Sequence, residues 1–521
     1  MPNYDAYEKG IKDDIFVKDI RGNNYLGQVW PGPVNFPDFL NPKSENYWTE
    51  QIQAFHNKIE FDGVWIDMNE VSNFCNTDGK GQVCENTAPN GCPAKGASQV
   101  DCCLQCYEVD ESNSLDFPPY QIHSYYGPIG AKTMAMSAYH YENTSVYNAH
   151  NLFGLTEQIA TNKALTSVIK KRPFIISRSS FPSTGVWSGK WTGDNAATWN
   201  DLRSSVISIM DFNMFGIPMV GADICGFLLD TTEELCARWI ELGAFYPFSR
   251  EHNDLHSKPQ ELYLWPSVTE AAQKALKMRY QLLPYLYTQF SHAYFEGQTV
   301  ARALWFNFPT DSTAHTIEEQ FMLGAGILVS PVLSEGSTSV NAYFSCGLWY
   351  KFSDLSLDVD ASAGSLWKEI ETPLTSTNVH IRGGNIIPTQ DYALTTVAAR
   401  ETPFTLIVAL CPGGMAEGKL FWDDGEQVEI KEYLQMSYEA SYSSGKGTFT
   451  AKPVANTYKL ANDFKVNKIV IVGKNIIAPK SAMISGVQLE SSQYVYDNTI
   501  KSLSFVNLGI SVSHAISLEW N

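Results

Sequence analysis

Phe61-Asp62-Gly63-Val64-Trp65-Ile66-Asp67-Met68-Asn69-Glu70 decides how this chain is read. A short apolar run, Phe61–Ile66, ends on a carboxylate, Asp67. The pattern recurs downstream. Pro173-Phe174-Ile175-Ile176-Ser177 follows a helix-like segment over Thr156–Lys171 and leads into Arg178. Pro218-Met219-Val220-Gly221-Ala222 follows a helix-like segment over Leu202–Phe215 and leads into Asp223. Strands alternating with helices predict a parallel α/β arrangement. The runs are continuously apolar, as a sheet covered on both faces requires. In such folds the loops after the strand C-termini build the ligand site, so Asp67, Arg178 and Asp223 are candidates for chemistry.

A long helix is expected over Ser267–Glu296, stopped by Gly297. After it come short β-rich runs such as Gly326–Ser330 and Lys468–Val472, broken by Gly, Ser, Asn and Pro. They predict all-β modules of the sandwich type. Arg382-Gly383-Gly384-Asn385 reads as a turn, and a boundary is expected near residue 395. The expected division is therefore 1–297 for the α/β part with a cysteine-rich insert at 75–106, 298–395 for a proximal strand-rich domain and 396–521 for a distal one.

The composition narrows the function. At 521 residues the chain has room for three or four units. Its net charge of −19, from 37 Lys and Arg against 56 Asp and Glu, disfavours nucleic acid and anionic membrane surfaces as partners. No apolar run is long enough for a transmembrane helix. The start, Met1-Pro2-Asn3-Tyr4-Asp5, does not read as a signal peptide. Aromatic residues at 13% suit carbohydrate or apolar ligands, and a large core equally.

Of the ten cysteines, Cys75, Cys84, Cys92, Cys102, Cys103 and Cys106 crowd into one stretch poor in apolar residues, where disulfides are the natural staple. Cys103-x-x-Cys106 has zinc-ligand spacing, but a second such pair is missing and no metal is expected. With the sequon Asn143-Thr144-Ser145, these cysteines favour an oxidising compartment, in conflict with the absent signal peptide.

Asp67 could instead cap a following helix. The same choice arises at Trp191-Thr192-Gly193-Asp194-Asn195, where Asp194 could cap a helix starting near Ala196. Gly221-Ala222-Asp223-Ile224-Cys225-Gly226-Phe227 and Phe248-Ser249-Arg250-Glu251-His252-Asn253 add further charged strand ends. Carboxylates recurring at strand ends suit glycoside chemistry, which uses two: one attacks, the other donates a proton. Phosphate-loop, Gly-x-Ser-x-Gly and His-Glu-x-x-His signatures are absent, and the scattered histidines need not bind metal.

Trp65–Glu70 with Val71-Ser72-Asn73-Phe74, and Trp191–Asn195, resemble the two catalytic signatures of glycoside hydrolase family 31. Gly27-Gln28-Val29-Trp30-Pro31-Gly32, Phe36-Pro37-Asp38-Phe39, His150–Glu157, Gly243–Phe248, His380–Gly384 and Phe421-Trp422-Asp423-Asp424-Gly425-Glu426 extend the resemblance over nearly the whole chain. It implies an α/β plus all-β chain: a (β/α)8 TIM barrel, incomplete at its N-terminal side, followed by two C-terminal β-sandwich domains. It also implies a retaining exo-α-glucosidase acting on maltose, malto-oligosaccharides, glycogen or starch without a cofactor. Asp67 would be the nucleophile and Asp194 the general acid/base. Arg178 would touch sugar hydroxyls or a catalytic carboxylate, Asp223 and His252 would bind hydroxyls, and Trp30, Trp65, Met68, Trp191 and Phe227 would wall the pocket. Cys225 and Cys236 would form a disulfide. The expected destination is the secretory pathway, lysosomal, vacuolar or extracellular.

Two departures stand against the family pattern. The family's upstream sandwich and first barrel strands, including an additional substrate-binding Asp, have no counterpart before Trp30, and the cysteine-rich insert after Phe74 is extra. The rival expectations are a non-catalytic carbohydrate-binding fragment, a disulfide-stapled structural or adhesive protein, and a member with α-xylosidase or α-galactosidase specificity. Oligomeric state is left open.

Overall fold

The computed structural model describes residues 4–73, 112–120, 129–130 and 132–521, so the expected cysteine-rich insert at 75–106 lies outside the described residues. The chain forms two compact units, residues 1–190 and 191–521.

The first unit runs α1 (Asp5–Asp13), β1 (Leu26–Val29), β2 (Gly32–Asn35), α2 (Ser44–His56), β3 (Gly63–Ile66), α3 (Val146–Ala149), α4 (Phe153–Ile169), β4 (Phe174–Ser177) and β5 (Gly189–Trp191). β1 and β2 form an antiparallel hairpin turned by Trp30-Pro31. β3 pairs in parallel with β4 over Gly63–Ile66, and β4 with β5 at Gly189 and Lys190. Ile52 of α2, Ile66 of β3, Ala164 and Leu165 of α4 and Ile175 of β4 share a core. Trp48 Nε1 ties α2 to α4 by donating to Thr161 Oγ1 at 2.9 Å. Parallel pairing brings the strand C-termini to one end: the Arg178 amide donates to Ile66 O at 3.2 Å, so Asp67 and Arg178 emerge side by side.

The second unit begins with α5 (Trp199–Met214), β6 (Val220–Gly221), β7 (Asp223–Ile224), α6 (Glu233–Gly243), β8 (Arg250–Glu251), α7 (Pro266–Gln281) and α8 (Leu283–Glu296). Thr198 and Thr232 cap α5 and α6, their hydroxyls accepting from the Asp201 and Leu235 amides. β7 and β8 pair in parallel, Asp223 opposite Arg250. The single helix expected over Ser267–Glu296 is two helices, broken at Leu282. Pro284 lacks an N–H, and its ring clashes with a continued helical backbone. Gly297, at φ +68, closes α8 as expected.

The strand-rich part starts with a six-stranded antiparallel sheet bounded by Ala301–Arg302 and Leu357–Asp360. It shares a core of Met322, Leu328, Phe344, Trp349, Val359 and Ile370 with the strand pair Ser339–Phe344 and Leu366–Glu371. A twelve-stranded sheet follows. Its strand Asn385–Gln390 pairs antiparallel with Phe404–Ala409, which runs parallel to Lys465–Val472. Alternation divides these strands between two cores. Phe404, Leu406, Val408, Ile469 and Ile471 pack inside the sheet's own core. Ile407, Ala409, Val470 and Val472 join Val206, Ile240, Ala271 and Leu286 of the helices. This shared core is why residues 191–297 group with the strands in the second compact unit. The change of sheet falls at Gly383–Gly384, so the boundary expected near 395 lies inside the first hairpin of the larger sheet.

Arg238 is a structural tie within this unit, with a side chain only 1% exposed. Nη1 donates to Glu241 Oε2 at 3.0 Å and Pro373 O at 3.3 Å, and Nη2 to Ser337 O at 3.0 Å and Thr372 O at 2.8 Å. Burial pushes the Glu241 carboxyl from 4.5 up to about 7 despite the opposing pull of Arg238. Arg238→Met strands a buried carboxylate and should lower unfolding stability by about 3–5 kcal/mol, read from urea midpoints. The folded state holds the Glu241 proton at pH values where the unfolded chain has released it. That side chain therefore subtracts stability as pH rises from about 4.5 through about 7. Glu241→Gln removes this penalty, so its melting temperature relative to the parent should be higher at pH 8 than at pH 5.

Candidate active site

In the first unit Asp67 follows β3 and Arg178 follows β4. Arg178 Nη1 lies 3.2 Å from Asp67 Oδ1. The same guanidinium grips Glu70 with two prongs, Nε to Oε1 at 2.9 Å and Nη2 to Oε2 at 3.1 Å. A forked guanidinium fits a carboxylate in this way, and the double contact fixes its plane. Met68 holds the left-handed conformation at φ +61, disfavoured for a side chain of its kind, and its amide donates back to Asp67 Oδ1 at 2.8 Å. Residues 69–71 form a turn and no helix begins within 68–73, so Asp67 caps no helix there.

Beneath this group Asn69 Nδ2 and Gln158 Nε2 both donate to Ser177 Oγ at 2.8 Å, and the Ser179 amide donates to Asn69 Oδ1 at 3.0 Å. Lys190 is buried and donates to Arg178 O. Burial pulls its ammonium down to about 8. Burial likewise pushes the nearby Glu157 carboxyl up to about 8, against a hydrogen bond with Asn69. Trp65 stands on β3, 51% exposed, and Trp30 at the β1–β2 turn, 80% exposed.

The second unit assembles a different set. Trp191 is buried, with the Arg250 guanidinium 5.1 Å from its ring centroid. Arg250 donates to Asp223 Oδ1 from Nη2 at 2.5 Å and from Nε at 3.2 Å. Asp223 Oδ2 is buried and has no hydrogen-bond partner among the described residues. Burial pushes this carboxyl up to about 7, Arg250 opposing and the charges of Asp194 and Glu251 adding. The rings of His252 and Phe227 stack at 5.2 Å. Burial first, then Arg250, lowers the His252 imidazole, while Asp194 pulls the other way.

Asp194 is exposed, and the cap of α5 is Thr198, so the capping role considered for Asp194 is not the one it plays. Asn195 links the two loops: its Nδ2 donates to Asp223 O at 2.9 Å, and its carbonyl accepts from the Phe227 and Leu228 amides. Gly226, at φ +93, would set a Cβ 2.3 Å from Ala197 Cα, so only glycine allows this approach. Cys225 and Cys236 form a disulfide with Cα atoms 4.4 Å apart, anchoring the loop to α6. Gln260 Nε2 donates to the carbonyls of Ile224, Gly226 and His252.

Asp67, Met68 and Arg178 thus come together in one unit, and Trp191, Asp194, Asp223, Phe227 and His252 belong to the other. Sequence reasoning passed over Glu70, Lys190 and Arg250. All three stand in or beside the motifs quoted for the site, but their importance lies in which charge each one faces. Among the described residues no group of three or more His, Cys, Asp or Glu side chains could hold a metal ion, and no helix is long and apolar enough to cross a membrane.

The model of the glycosyl hydrolases family 31 TIM-barrel domain matches residues 1–289, and that of the family 31 C-terminal domain matches residues 297–387. The chain belongs to glycoside hydrolase family 31. The fold is that family's: a TIM-barrel domain followed by a C-terminal part made mostly of strands. Among its curated relatives, an alpha-glucosidase of Hordeum vulgare is 42% identical over 94% of this chain and 53% of the relative. Alpha-xylosidase 1 of Arabidopsis thaliana is 40% identical over 95% and 55%. The lysosomal alpha-glucosidase of Mus musculus is 38% identical over 100% and 53%. The solved catalytic subunit of ER glucosidase II shares the fold, with a TM-score of 0.83 at 24% identity, over 100% of this chain and 53% of that one. The chain spans about half the length of the curated relatives it matches.

The disulfide closes a sequence separation of 11 residues around the loop that carries Phe227. Replacing Cys225 and Cys236 together by serine should lower stability by about 2–3 kcal/mol on the chain-entropy scale, measured by chemical denaturation.

Proposed function

We propose that this family 31 chain carries the catalytic machinery of a retaining exo-α-glucosidase that releases glucose from the non-reducing ends of α-linked glucans. The observation that carries the reading is the Arg178 guanidinium, held in place by Glu70 and set 3.2 Å from Asp67 at the end of a parallel strand.

A glycosidic nucleophile must be ionised and aimed, and a fixed positive charge beside Asp67 favours both. Asp67 attacks the anomeric carbon as Asp194 protonates the departing oxygen, giving a covalent glucosyl intermediate. Asp194 then takes a proton from water, which attacks the same carbon and frees Asp67. The two carboxyls of such a pair stand roughly 5–5.5 Å apart in retaining enzymes. Asp223, with one buried oxygen unpartnered, and His252 supply polar groups for sugar hydroxyls. A hydroxyl that satisfies a buried acceptor is strongly selected over its absence. Trp30, Trp65, Met68 and Phe227 present apolar surface to the sugar faces, whereas Trp191, expected as a pocket wall, is buried and backs the site beneath Arg250. The Cys225–Cys236 disulfide and the likeness to a lysosomal alpha-glucosidase support an oxidising destination in the secretory pathway.

A second reading, α-xylosidase activity, is favoured by the 40% identity to an alpha-xylosidase. Xylosides lack the hydroxymethyl group at C5, so paired aryl α-glucoside and α-xyloside assays separate the two, with an α-galactoside covering the third specificity. Binding of maltose by the full-length protein without turnover would leave the non-catalytic reading.

Purified full-length protein should hydrolyse maltose with retention of anomeric configuration. Asp67→Asn should lower kcat on the order of 10³-fold or more. Arg178→Lys, which cannot reach Asp67 and both Glu70 oxygens, should lower kcat about 10²-fold with melting temperature little changed. Absence of hydrolysis of every α-glycoside by the full-length protein would reject the proposal.

A further inference from the structure

Helix α7 and the larger sheet enclose a cleft of about 410 Å³ within the second unit, away from the residues assigned above. Lys274, Lys277, Met278 and Gln281 line it from the helix, at spacings that put them on one face. Opposite them the sheet presents residues in register across three strands: Thr389 pairs with Thr405, and Thr405 with Lys468. One step along, Ile407 pairs with Val470 on the same face and, with Phe352, supplies a buried apolar floor.

The polar groups of this cleft are unevenly used. Lys274 is paired with Glu270 at 2.6 Å, and Lys277 lies over the Tyr392 ring at 4.6 Å. Thr389 and Gln390 donate to backbone carbonyls. Lys468 is half-buried on the floor with neither an ion pair nor a side-chain hydrogen bond among the described residues, and the side chains of Gln281, Ser353 and Thr405 also make none there. Asp391 lines the rim and is exposed, forming no ion pair with these lysines. Three of the four charged residues lining the cleft are lysines, although Asp and Glu outnumber Lys and Arg by 56 to 37 in the chain. The cleft is thus a locally basic spot on an acidic molecule, of a size that small-molecule sites have.

We propose that this cleft is a binding site for a small phosphorylated polyol of about hexose size. The phosphate would sit on Lys468 with Lys277 as the second cation, and the hydroxylated body would lie on the apolar floor, meeting Gln281, Thr405 and Ser353. Lysine takes phosphate as a point charge, and unspent amide and hydroxyl groups supply the directional contacts. The inference does not depend on the glycosidase reading, because none of its residues belongs to that site.

Calorimetric titration of the full-length protein with glucose 6-phosphate, inorganic phosphate and glucose tests it. The expected result is saturable one-to-one binding of glucose 6-phosphate, at least about tenfold tighter than inorganic phosphate. Lys468→Met keeps the apolar stem and removes the charge. It should weaken glucose 6-phosphate binding about tenfold or more while melting temperature and glycosidase activity stay at the parent's level. Glucose binding, where seen, should be unchanged in that variant. Three results would overturn the proposal: no saturable binding of glucose 6-phosphate, equal affinity for it and inorganic phosphate, or binding unaffected by Lys468→Met. Should Lys468→Met lower the melting temperature, Gln281→Ala supplies the second variant. It should weaken glucose 6-phosphate but not inorganic phosphate, and equal weakening of both would count against the site.

Discussion

A single guanidinium shared between two carboxylates organises the chemistry of the first unit. Arg178 is held by both oxygens of Glu70, and that grip leaves Nη1 facing Asp67. Asp67 and Glu70 are three residues apart on a tight turn, so their charges would repel without a cation between them. The turn itself includes a methionine in the left-handed region. Strain of this kind persists only where surrounding contacts hold it, here the amide of Met68 on Asp67 and the Asn69–Ser177–Gln158 network below. Lys190, buried and bonded to the Arg178 carbonyl, adds a second positive charge beneath the first. One strand end thereby carries a fixed arrangement of charges.

The second unit solves a similar problem by different means. Asp223 is almost fully buried, and its single cationic partner engages only one oxygen. Desolvation prevails, which is why the carboxyl stands near neutrality rather than in the usual acid range. Around it the chain is pinned by backbone contacts: Asn195 to the 223–228 loop, Gln260 to three carbonyls, and a disulfide to α6. A buried, incompletely satisfied acceptor is expensive for folding, and these anchors keep it from relaxing. The same unit carries a second buried cation in Arg238, whose two terminal nitrogens reach Glu241 and three backbone carbonyls.

Much of this was legible in the residues. The apolar runs ending in Asp67, Arg178 and Asp223 are strands or strand ends, and parallel pairing of β3, β4 and β5 follows from their βα alternation. Gly297 ends its helix as its type predicts. The helix before it was misread as continuous because apolar periodicity runs through Leu282, whereas Pro284 acts sterically on the turn before it. The place where one sheet gives way to the next was less legible. Asn385–Gln390 reads as a strand in either domain, and only its partner, Phe404–Ala409, assigns it to the larger sheet. Glu70, Lys190 and Arg250 were passed over because a charged residue in or beside a motif looks the same whether it faces solvent or a partner inside the fold.

The sequence by itself determined the family, the order of strands and helices, and which carboxylates stand at strand ends. Those features are local, set by hydrophobic periodicity, proline and glycine stereochemistry, and motifs a few residues long. The tertiary structure decided which charges meet, since Arg178 finds Glu70 across 108 residues and Arg250 finds Asp223 across 27. It also decided which face of Phe404–Ala409 serves which core, and where Lys468 lies on an apolar floor without an ion pair among the described residues. Electrostatic and packing energies depend on separation in space, and distance along the chain carries almost none of that information.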